Sequence, residues 1–326
     1  MADTTKIEWT DATWQIVTGC SIVSPGCTNC YAMRLAGTRL QHHPSRQGLT
    51  TKTKAGPVWN GTVRFNEQWL DQPLRWKRPR QIFVCAHGDL FHESVPDEWL
   101  HKVFAVMALT PQHTYQVLTK RAERMAGYLN GKWGQRVRPW LDKLKPSSLW
   151  NGNIVTAWGH LNAGPLPNVW LGVSVEDQTR ADERIPHLLD TPAAVRWISA
   201  EPLLGPIDLT NLDHTGHQRA DQVHGISAIW TGNAIGRPAL DWVVAGGESG
   251  SGARPAHPDW FRSLRDQCAA AGVPYFFKQH GDWVSVSMVE GSGRHFTFPD
   301  GATVRNVGKK AAGALLDGRE HREFPT

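Results

Sequence analysis

Residues 168–190 read NVWLGVSVEDQTRADERIPHLLD, and this stretch predicts a buried strand that leads into a helix. The first half is a continuous apolar run, as expected for a parallel strand covered on both faces, and it ends at Ser174 and Glu176. The second half, 178–190, has the pattern of a helix. A strand followed by a helix is the repeating unit of a parallel α/β sheet.

Six other apolar runs end in polar or glycine residues in the same way. They are TWQIVTG (13–19), QIFVCAHGD (81–89), TYQVLTK (114–120), AAVRWISAEPL (193–203), LDWVVAGGESG (240–250) and VPYFFKQHG (273–281). Helices are also predicted over 96–109 and 258–272, the latter beginning at Pro258 and ending at Gly272. The sequence therefore predicts an α/β fold with a partial or complete parallel β/α barrel.

The barrel is predicted to occupy residues 1–281, and the remainder of the chain, 282–326, is predicted to form a small β-containing cap. Two stretches interrupt the strand–helix rhythm, 129–167 and 210–238, and both are interpreted as loop insertions. In such a sheet, functional side chains collect at the carboxyl ends of the strands. Polar residues recur there along this chain: Cys20, Asp89, Lys120, Ser174, Glu176, Ser199, Glu201, Glu248 and Lys278.

The composition is that of a folded protein, with 40% hydrophobic and 20% charged residues in 326. No apolar run is long enough to span a membrane, and the first residues lack the pattern of a secretory signal. We therefore expect a cytoplasmic protein. The net charge of +5 is compatible with a polyanionic partner. Most of the 16 tryptophans are expected in the core.

Three of the five cysteines lie within eleven residues, in the segment GCSIVSPGCTNCYA (19–32). A disulfide framework is disfavoured by the odd number of cysteines and by the expected reducing compartment. A zinc site would use Cys20, Cys27, Cys30 and a fourth ligand such as His42 or His43. An iron–sulfur cluster held by three thiolates is the other interpretation, and it leaves one iron open to a small molecule.

Three close cysteines after the first strand of a β/α barrel resemble the pattern of radical S-adenosylmethionine (SAM) enzymes. The whole chain resembles a phage and bacterial family near spore photoproduct lyase, which includes an isomerase of thymidine hypermodification. The matching segments are TWQIVTGCSIVSPGCTNCYA, DLFHESVPDEW, VLTKRAERM, LGVSVEDQTRADERIPHLL, ISAEPLLGPIDL, VVAGGESGSGARP, FFKQHGDW and GKKAAGALLDG. The chain departs from the usual pattern in its six-residue gap between Cys20 and Cys27, and in having Tyr31 after the last cysteine.

The resemblance implies a [4Fe-4S] cluster on Cys20, Cys27 and Cys30, with SAM as the second cofactor. It further implies SAM contacts from residues at the strand ends. These contacts are Asp89 and His87 for the ammonium, Lys120 or Arg121 for the carboxylate, Ser174 and Glu176 for the ribose, and Tyr31 for the adenine. Glu201, Glu248 and Lys278 are candidates for substrate contact. An external electron donor such as flavodoxin or ferredoxin is also implied.

The segment QPLRWKRPRQ (72–81) surrounds an aromatic residue with cations, namely Arg75, Trp76, Lys77, Arg78 and Arg80. Such a pattern suits phosphate neutralisation with base stacking, and a solvated connector would have the same composition. The leading hypothesis is a radical SAM enzyme that acts on a modified nucleobase in DNA. The reaction that the resemblance suggests is isomerisation of an amino-acid-modified thymidine. The alternatives are a DNA repair lyase and a zinc-stabilised nucleic-acid-binding protein without catalysis.

Overall fold

The structure is a computed structural model that describes residues 5–144, 151–213, 227–229 and 239–326. Seven strands form its main sheet, and they neighbour one another in chain order. They are β1 (Ala12–Trp14), β2 (Gln81–Val84), β3 (Thr114–Thr119), β4 (Val169–Ser174), β5 (Val195–Ala200), β6 (Trp242–Gly246) and β7 (Tyr275–Gln279). This order is that of a β/α barrel. The predicted α/β class is confirmed, and the sheet is consistent with a partial parallel barrel.

The strands are short, apolar and almost wholly buried, which explains their continuous hydrophobic runs. β1 pairs with β2 in parallel with Ala12 opposite Ile82, and β2 pairs with β3 with Ile82 opposite Tyr115. β6 likewise pairs in parallel with β5 and β7. Trp14, Trp197 and Trp242 are fully buried.

Nine helices connect or follow these strands in the described residues. They are α1 (Tyr31–Gly37), α2 (Gln72–Arg75), α3 (Asp97–Leu109), α4 (Ala122–Leu129), α5 (Trp133–Leu144), α6 (Asn151–Ala163), α7 (Gln178–Asp190), α8 (Pro258–Ala271) and α9 (Lys309–Ala312). The three predicted helices correspond to α3, α7 and α8. In α8 the His257 ring accepts a hydrogen bond from the Asp259 amide at 3.1 Å, and Gly272 ends the helix at φ 68°.

The predicted loop insertion at 129–167 contains α5 and α6, so it is largely helical rather than a loop. α3 packs against both of these helices. Most of the second predicted insertion, 210–238, lies outside the described residues.

Smaller sheets complete the fold. Antiparallel pairs join Thr50–Thr53 to Gly56–Trp59 and Val17–Thr18 to Arg64–Phe65. The predicted cap, 282–326, contains a three-stranded antiparallel sheet followed by α9, and its strands are Trp283–Ser285, His295–Thr297 and Thr303–Asn306.

The chain divides into two compact units, one of Met1–Gly172 with Thr191–Val195 and one of Val173–Asp190 with Arg196–Thr326. This division does not coincide with the predicted boundary after residue 281. Each unit is therefore described by itself below. Among the helices of the described residues, none has the length and apolar character required to cross a membrane.

Candidate functional site

In the first unit, the three clustered cysteines lie in one loop beyond the carboxyl end of β1. Gly19 forms a parallel bridge with Gly88, which follows β2, and the Gly19 amide donates to the His87 carbonyl at 3.1 Å. Gly19 has φ 94°, and a Cβ there would lie 2.1 Å from the Thr62 carbonyl oxygen. Only glycine fits this position, and it places Cys20 beside the end of β2.

The loop itself is tightly turned. A short 3-10 helix covers Pro25–Cys27, and the Cys27 amide donates to the Ser24 carbonyl at 2.9 Å. Ser24, Pro25 and Gly26 supply the residues of this turn. α1 begins directly after Cys30, so the third cysteine is held at the start of a helix.

The thiols of Cys20, Cys27 and Cys30 form no disulfide, and the charge of Cys27 affects the pKa values of the other two. Burial, followed by the negative charge of Asp89, raises the pKa of Cys20 to about 12. Burial also raises the pKa of Cys30, and the charge of Cys27 contributes to both shifts. Without a bound cation, Cys20 and Cys30 therefore remain protonated at neutral pH, which is unlike an activated nucleophile. A metal would bind them by displacing their protons.

Thiols are ligands both of zinc and of iron–sulfur clusters. Among the described residues, no group of three or more His, Cys, Asp or Glu side chains is placed to hold one metal ion. His43, a candidate fourth zinc ligand, instead bonds the Ser45 hydroxyl through Nδ1 at 2.7 Å, and His42 is exposed. In a [4Fe-4S] cluster the thiolates bind different irons, so they do not converge on one point.

Arg121, at the start of α4 after β3, joins the cysteine loop to two acids. Its Nη1 donates to the Cys20 sulfur at 3.3 Å and to Asp89 Oδ2 at 3.0 Å. Its Nε donates to Glu93 Oε1 at 3.2 Å, and its Nη2 donates to the Ser21 hydroxyl at 2.7 Å. The Arg121 and Asp89 side chains are only 5% and 6% exposed. The sequence predicted Arg121 at this site, but for a different partner.

Asp89 is engaged by the protein on both oxygens. Oδ1 accepts from the Phe91 amide at 3.0 Å and the Thr119 hydroxyl at 2.7 Å. Oδ2 accepts from the Lys120 amide at 3.1 Å and from Arg121. Four donors occupy the carboxylate's lone pairs, so these contacts assign Asp89 to holding Arg121, and its predicted ammonium contact stays a prediction. The role predicted for the half-buried Lys120 side chain stays a prediction.

Tyr31 and His87 are brought together beside the same loop. The Tyr31 hydroxyl donates to the Ala86 carbonyl at 2.8 Å, and its ring meets the His87 ring edge-on at 5.7 Å. Tyr31 is 53% exposed, so its ring face is accessible as the predicted adenine contact requires. Burial, followed by the charge of Arg46, lowers the pKa of His87 to about 4. His87 is therefore neutral at physiological pH.

In the second unit, Glu176, one of the two predicted ribose contacts, forms a buried ion pair. Glu176 is fully buried and accepts from Arg184 Nη1 at 3.0 Å, while the same nitrogen donates to the Ser174 carbonyl at 2.7 Å. A carboxylate removed from water in this way requires a cation, and Arg184 supplies it. These contacts engage the Glu176 side chain within the protein, and the predicted ribose contacts of Ser174 and Glu176 stay predictions.

The three predicted substrate residues also have protein partners, all within the second unit. Lys278 Nζ lies 2.9 Å from Glu201 Oε1, so these two side chains form an ion pair. Glu248 accepts from Arg254 Nη2 at 2.6 Å and from Arg254 Nε at 2.9 Å. Lys278 and Glu201 are 18% and 16% exposed, so this pair remains in contact with solvent.

The segment 72–81, which the sequence predicts to contact nucleic acid, is only partly exposed to solvent. Trp76 is 8% exposed, the guanidinium of Arg80 lies 4.9 Å from its ring centroid, and the edge of the His113 ring approaches it. The ring is therefore already covered by the protein, and the prediction that Trp76 stacks on a base stays a prediction. Arg75, Lys77 and Arg78 are exposed, and Arg75 pairs with Asp71 at 3.2 Å.

Four arginines contact the predicted site residues, and only Arg121 was itself predicted from the sequence. Arg46 contacts His87, Arg184 contacts Glu176, and Arg254 contacts Glu248. Arg46 lies in the irregular stretch HHPSRQG, outside any helix or strand, and nothing in that stretch distinguishes it. Arg184 lies eight residues after Glu176 in a helix that reads as amphipathic, where a buried charge is not expected.

Residues 4–325 match the model of one protein family, DUF5131, which is described as a protein of unknown function. Neither the curated proteins nor the solved structures contain a match.

Proposed function

The chain belongs to the DUF5131 family, and we propose that it is a radical SAM enzyme that acts on a nucleobase in DNA. One observation carries the proposal: three interacting free thiols lie in one loop at the carboxyl end of β1, and the Arg121 guanidinium donates to the Cys20 sulfur. In parallel β/α sheets this end of the strands is where active sites form.

The donor set is suited to a [4Fe-4S] cluster. Cys20, Cys27 and Cys30 would hold three irons and leave the fourth for SAM. Arg121 places a positive charge against a thiolate ligand, which offsets part of the negative charge that three thiolates bring to a buried site. Asp89 and Glu93 fix that guanidinium in place.

When bound, the cluster and SAM supply a one-electron cleavage that yields a 5′-deoxyadenosyl radical. The chain's own contribution is positional. The thiols are partly shielded from water, and Tyr31 offers an exposed ring next to the third cysteine. Ile22 and Val23 are 47% and 42% exposed at the tip of the loop, where an external electron donor such as flavodoxin or ferredoxin would approach.

DNA is the proposed substrate polymer, with isomerisation of a modified thymidine as the expected reaction. The three exposed cations Arg75, Lys77 and Arg78 support contact with phosphates. A base inside a duplex is inaccessible to an enzyme site, so the target base must be extruded or lie in a single strand.

The activity is tested by anaerobic reconstitution followed by addition of SAM and a strong reductant. The protein should release 5′-deoxyadenosine and methionine, and Cys27→Ala should abolish the release. Cys268→Ala is the matched control, because Cys268 is buried on α8 and lies outside the loop. A Cys27→Ala protein that cleaves SAM at the parent rate would overturn the proposal.

DNA contact is tested by the salt dependence of binding. Replacing Arg75, Lys77 and Arg78 with glutamine should reduce the slope of log K against log salt by up to about 2.7, at about 0.9 for each phosphate contact. The control removes the same charge from the exposed residues Arg39, Lys52 and Lys54. If the slope of log K against log salt is equal in the two triple variants, the segment 72–81 is a solvated connector and not a DNA contact.

A further inference from the structure

Four exposed cations lie on α5 or directly before it. They are Lys132, Arg136, Arg138 and Lys143. Among the described residues only Arg136 of this set pairs with a carboxylate, that of Asp97 at 3.5 Å. Residues 129–167 contain five Lys or Arg and one acidic residue, Asp142, whereas the whole chain contains 35 and 30. The excess of positive charge is therefore concentrated in this stretch.

Aromatic rings hold two of these cations in place. The Arg138 guanidinium lies 4.6 Å from the ring centroid of Trp158 on α6, and Lys143 Nζ lies 4.6 Å from that of Trp140. Lys102 Nζ, on α3, lies 4.9 Å from the same Trp140 ring. A cation–π contact fixes the position of a cation and leaves its charge unneutralised.

Arginines elsewhere on the surface are held by carboxylates instead. Arg75 pairs with Asp71 at 3.2 Å. Arg262 and Arg265 share Asp317, at 2.7 and 2.6 Å. These carboxylates offset the positive charge of their partners, so such arginines attract a polyanion less strongly than the cations of α5 do.

The first turns of α5 lie towards the end of the sheet that carries the cysteine loop. α3 begins at Asp97, after the carboxyl end of β2, and Arg136 of α5 reaches that residue. α2 and α5 both pack against α3. The segment 72–81, which the proposed function assigns to phosphate contact, therefore belongs to the same helical layer as α5.

The backbone of a nucleic acid matches this surface better than an acidic protein does. Arg136 and Lys143 are seven residues apart on one side of the helix, which is about 10 Å along its axis. Phosphates of one B-DNA strand repeat about every 3.4 Å along the duplex axis, so this distance corresponds to about three nucleotides. Cations interleaved with half-buried indole rings, as at Trp140 and Trp158, are typical of nucleic-acid-binding surfaces. The carboxylates of an acidic protein have no such repeat.

We propose that α5 is a second contact for the nucleic-acid backbone, in addition to segment 72–81, and that Lys132, Arg138 and Lys143 carry it. The inference rests on the nucleic-acid substrate of the proposed function and is independent of the iron–sulfur cluster. Asp142 is the one acidic residue of α5, and its charge opposes the contact.

The experiment measures the binding of a short fluorescein-labelled DNA duplex to the full-length protein at several salt concentrations. The test variant replaces three cations of α5 with glutamine, namely Lys132, Arg138 and Lys143. The control variant removes the same charge from three exposed residues of the same compact unit, namely Arg39, Lys52 and Lys54. A further variant, Asp142→Asn, changes the charge of α5 in the opposite direction.

The α5 triple variant should reduce the slope of log K against log salt by up to about 2.7, at about 0.9 for each phosphate contact, and the control variant should change the slope by less than about 0.5. Asp142→Asn should raise the affinity at low salt by about twofold, because it removes a charge that repels phosphate. Circular dichroism checks that each variant is folded. Equal slopes for the two triple variants, or an Asp142→Asn affinity no higher than that of the parent, would overturn the inference; if the α5 triple variant is unfolded, Asp142→Asn decides alone.

Poly-glutamate as a competitor distinguishes a nucleic acid from an acidic protein. Less DNA than poly-glutamate, counted as negative charges, should be needed to displace the labelled duplex from the parent. If poly-glutamate competes at least as well as DNA, and loses affinity in the α5 triple variant, the surface binds an acidic protein and the inference is wrong.

Three results separate this inference from the proposed function. A parent that cleaves SAM, with a salt slope that the α5 substitutions leave unchanged, contradicts the inference alone. A parent that binds DNA through α5 and cleaves no SAM contradicts the radical SAM proposal alone. A parent that binds no DNA contradicts both the inference and the DNA substrate, and its SAM cleavage then decides the radical SAM proposal separately.

Discussion

Replacing Arg121 with glutamine should destabilise the protein by about 3 kcal/mol, because the substitution leaves Asp89 as a buried charge without its cation. The two side chains are 5% and 6% exposed and meet at 3.0 Å. Removing one partner of such a pair typically costs about 3–5 kcal/mol. Asp89 keeps the Phe91 amide, the Thr119 hydroxyl and the Lys120 amide as donors, which places the expected cost at the lower end.

A surface arginine with two acidic partners provides the control. Arg262 is 33% exposed, and it bonds Asp259 and Asp317 at 2.7 Å each. Solvent screens such contacts, so Arg262→Gln should cost about 1 kcal/mol or less. Urea unfolding followed by tryptophan fluorescence gives both values from the midpoint and the slope.

A double-variant cycle shows whether the cost arises from the pair itself. Asp89→Asn combined with Arg121→Gln should be less destabilising than the sum of the two single changes by about 1–3 kcal/mol. Two results would refute the assignment of Asp89 to holding Arg121. One is a loss of unfolding free energy that agrees within about 0.5 kcal/mol between Arg121→Gln and Arg262→Gln. The other is a double variant whose loss equals the sum of the two single losses.

Two further predictions follow from individual residues. Trp76→Ala should cost about 3–5 kcal/mol in urea unfolding, because the ring is buried beneath Arg80. It should leave the affinity for DNA at a fixed salt concentration unchanged, and a loss of affinity in a variant of full stability would support the base-stacking role. His87 has a folded-state pKa of about 4 against 6.5 in the unfolded chain, so between these values the unfolded chain binds more protons and stability falls as pH falls. His87→Gln should make the unfolding free energy less pH-dependent in this window, and an unchanged pH profile would contradict the half-buried neutral ring facing Arg46.

The sheet was predictable because its strands are covered on both faces and their apolar runs are unbroken. The helices between residues 133 and 163 were not predictable, because the glycine and proline content of that stretch indicates a loop. Gly134 explains part of the discrepancy: a Cβ there would lie 2.4 Å from the Leu161 carbonyl oxygen, so the glycine permits close approach of α5 and α6. Glycine disfavours a helix locally, but the close packing of α5 against α6 requires it at position 134.

The candidate site shows the same limit of sequence reasoning. The loop that carries Cys20, Cys27 and Cys30 follows from spacing alone, since the three residues are close in the chain. The partners of the charged residues do not, because Arg121 reaches Cys20 across 101 positions and Arg46 reaches His87 across 41. The sequence placed Asp89 correctly at a strand end, but the donors that fill its carboxylate come from the end of β3 and from its own turn.

Metal analysis after anaerobic reconstitution with iron and sulfide shows whether the three loop cysteines hold an iron–sulfur cluster. We expect a brown protein with about four iron and about four sulfide per chain. Cys20→Ala, Cys27→Ala and Cys30→Ala should each lose most of both, and Cys268→Ala should retain them. A colourless protein that binds one zinc per chain and takes up no iron would contradict the iron–sulfur cluster.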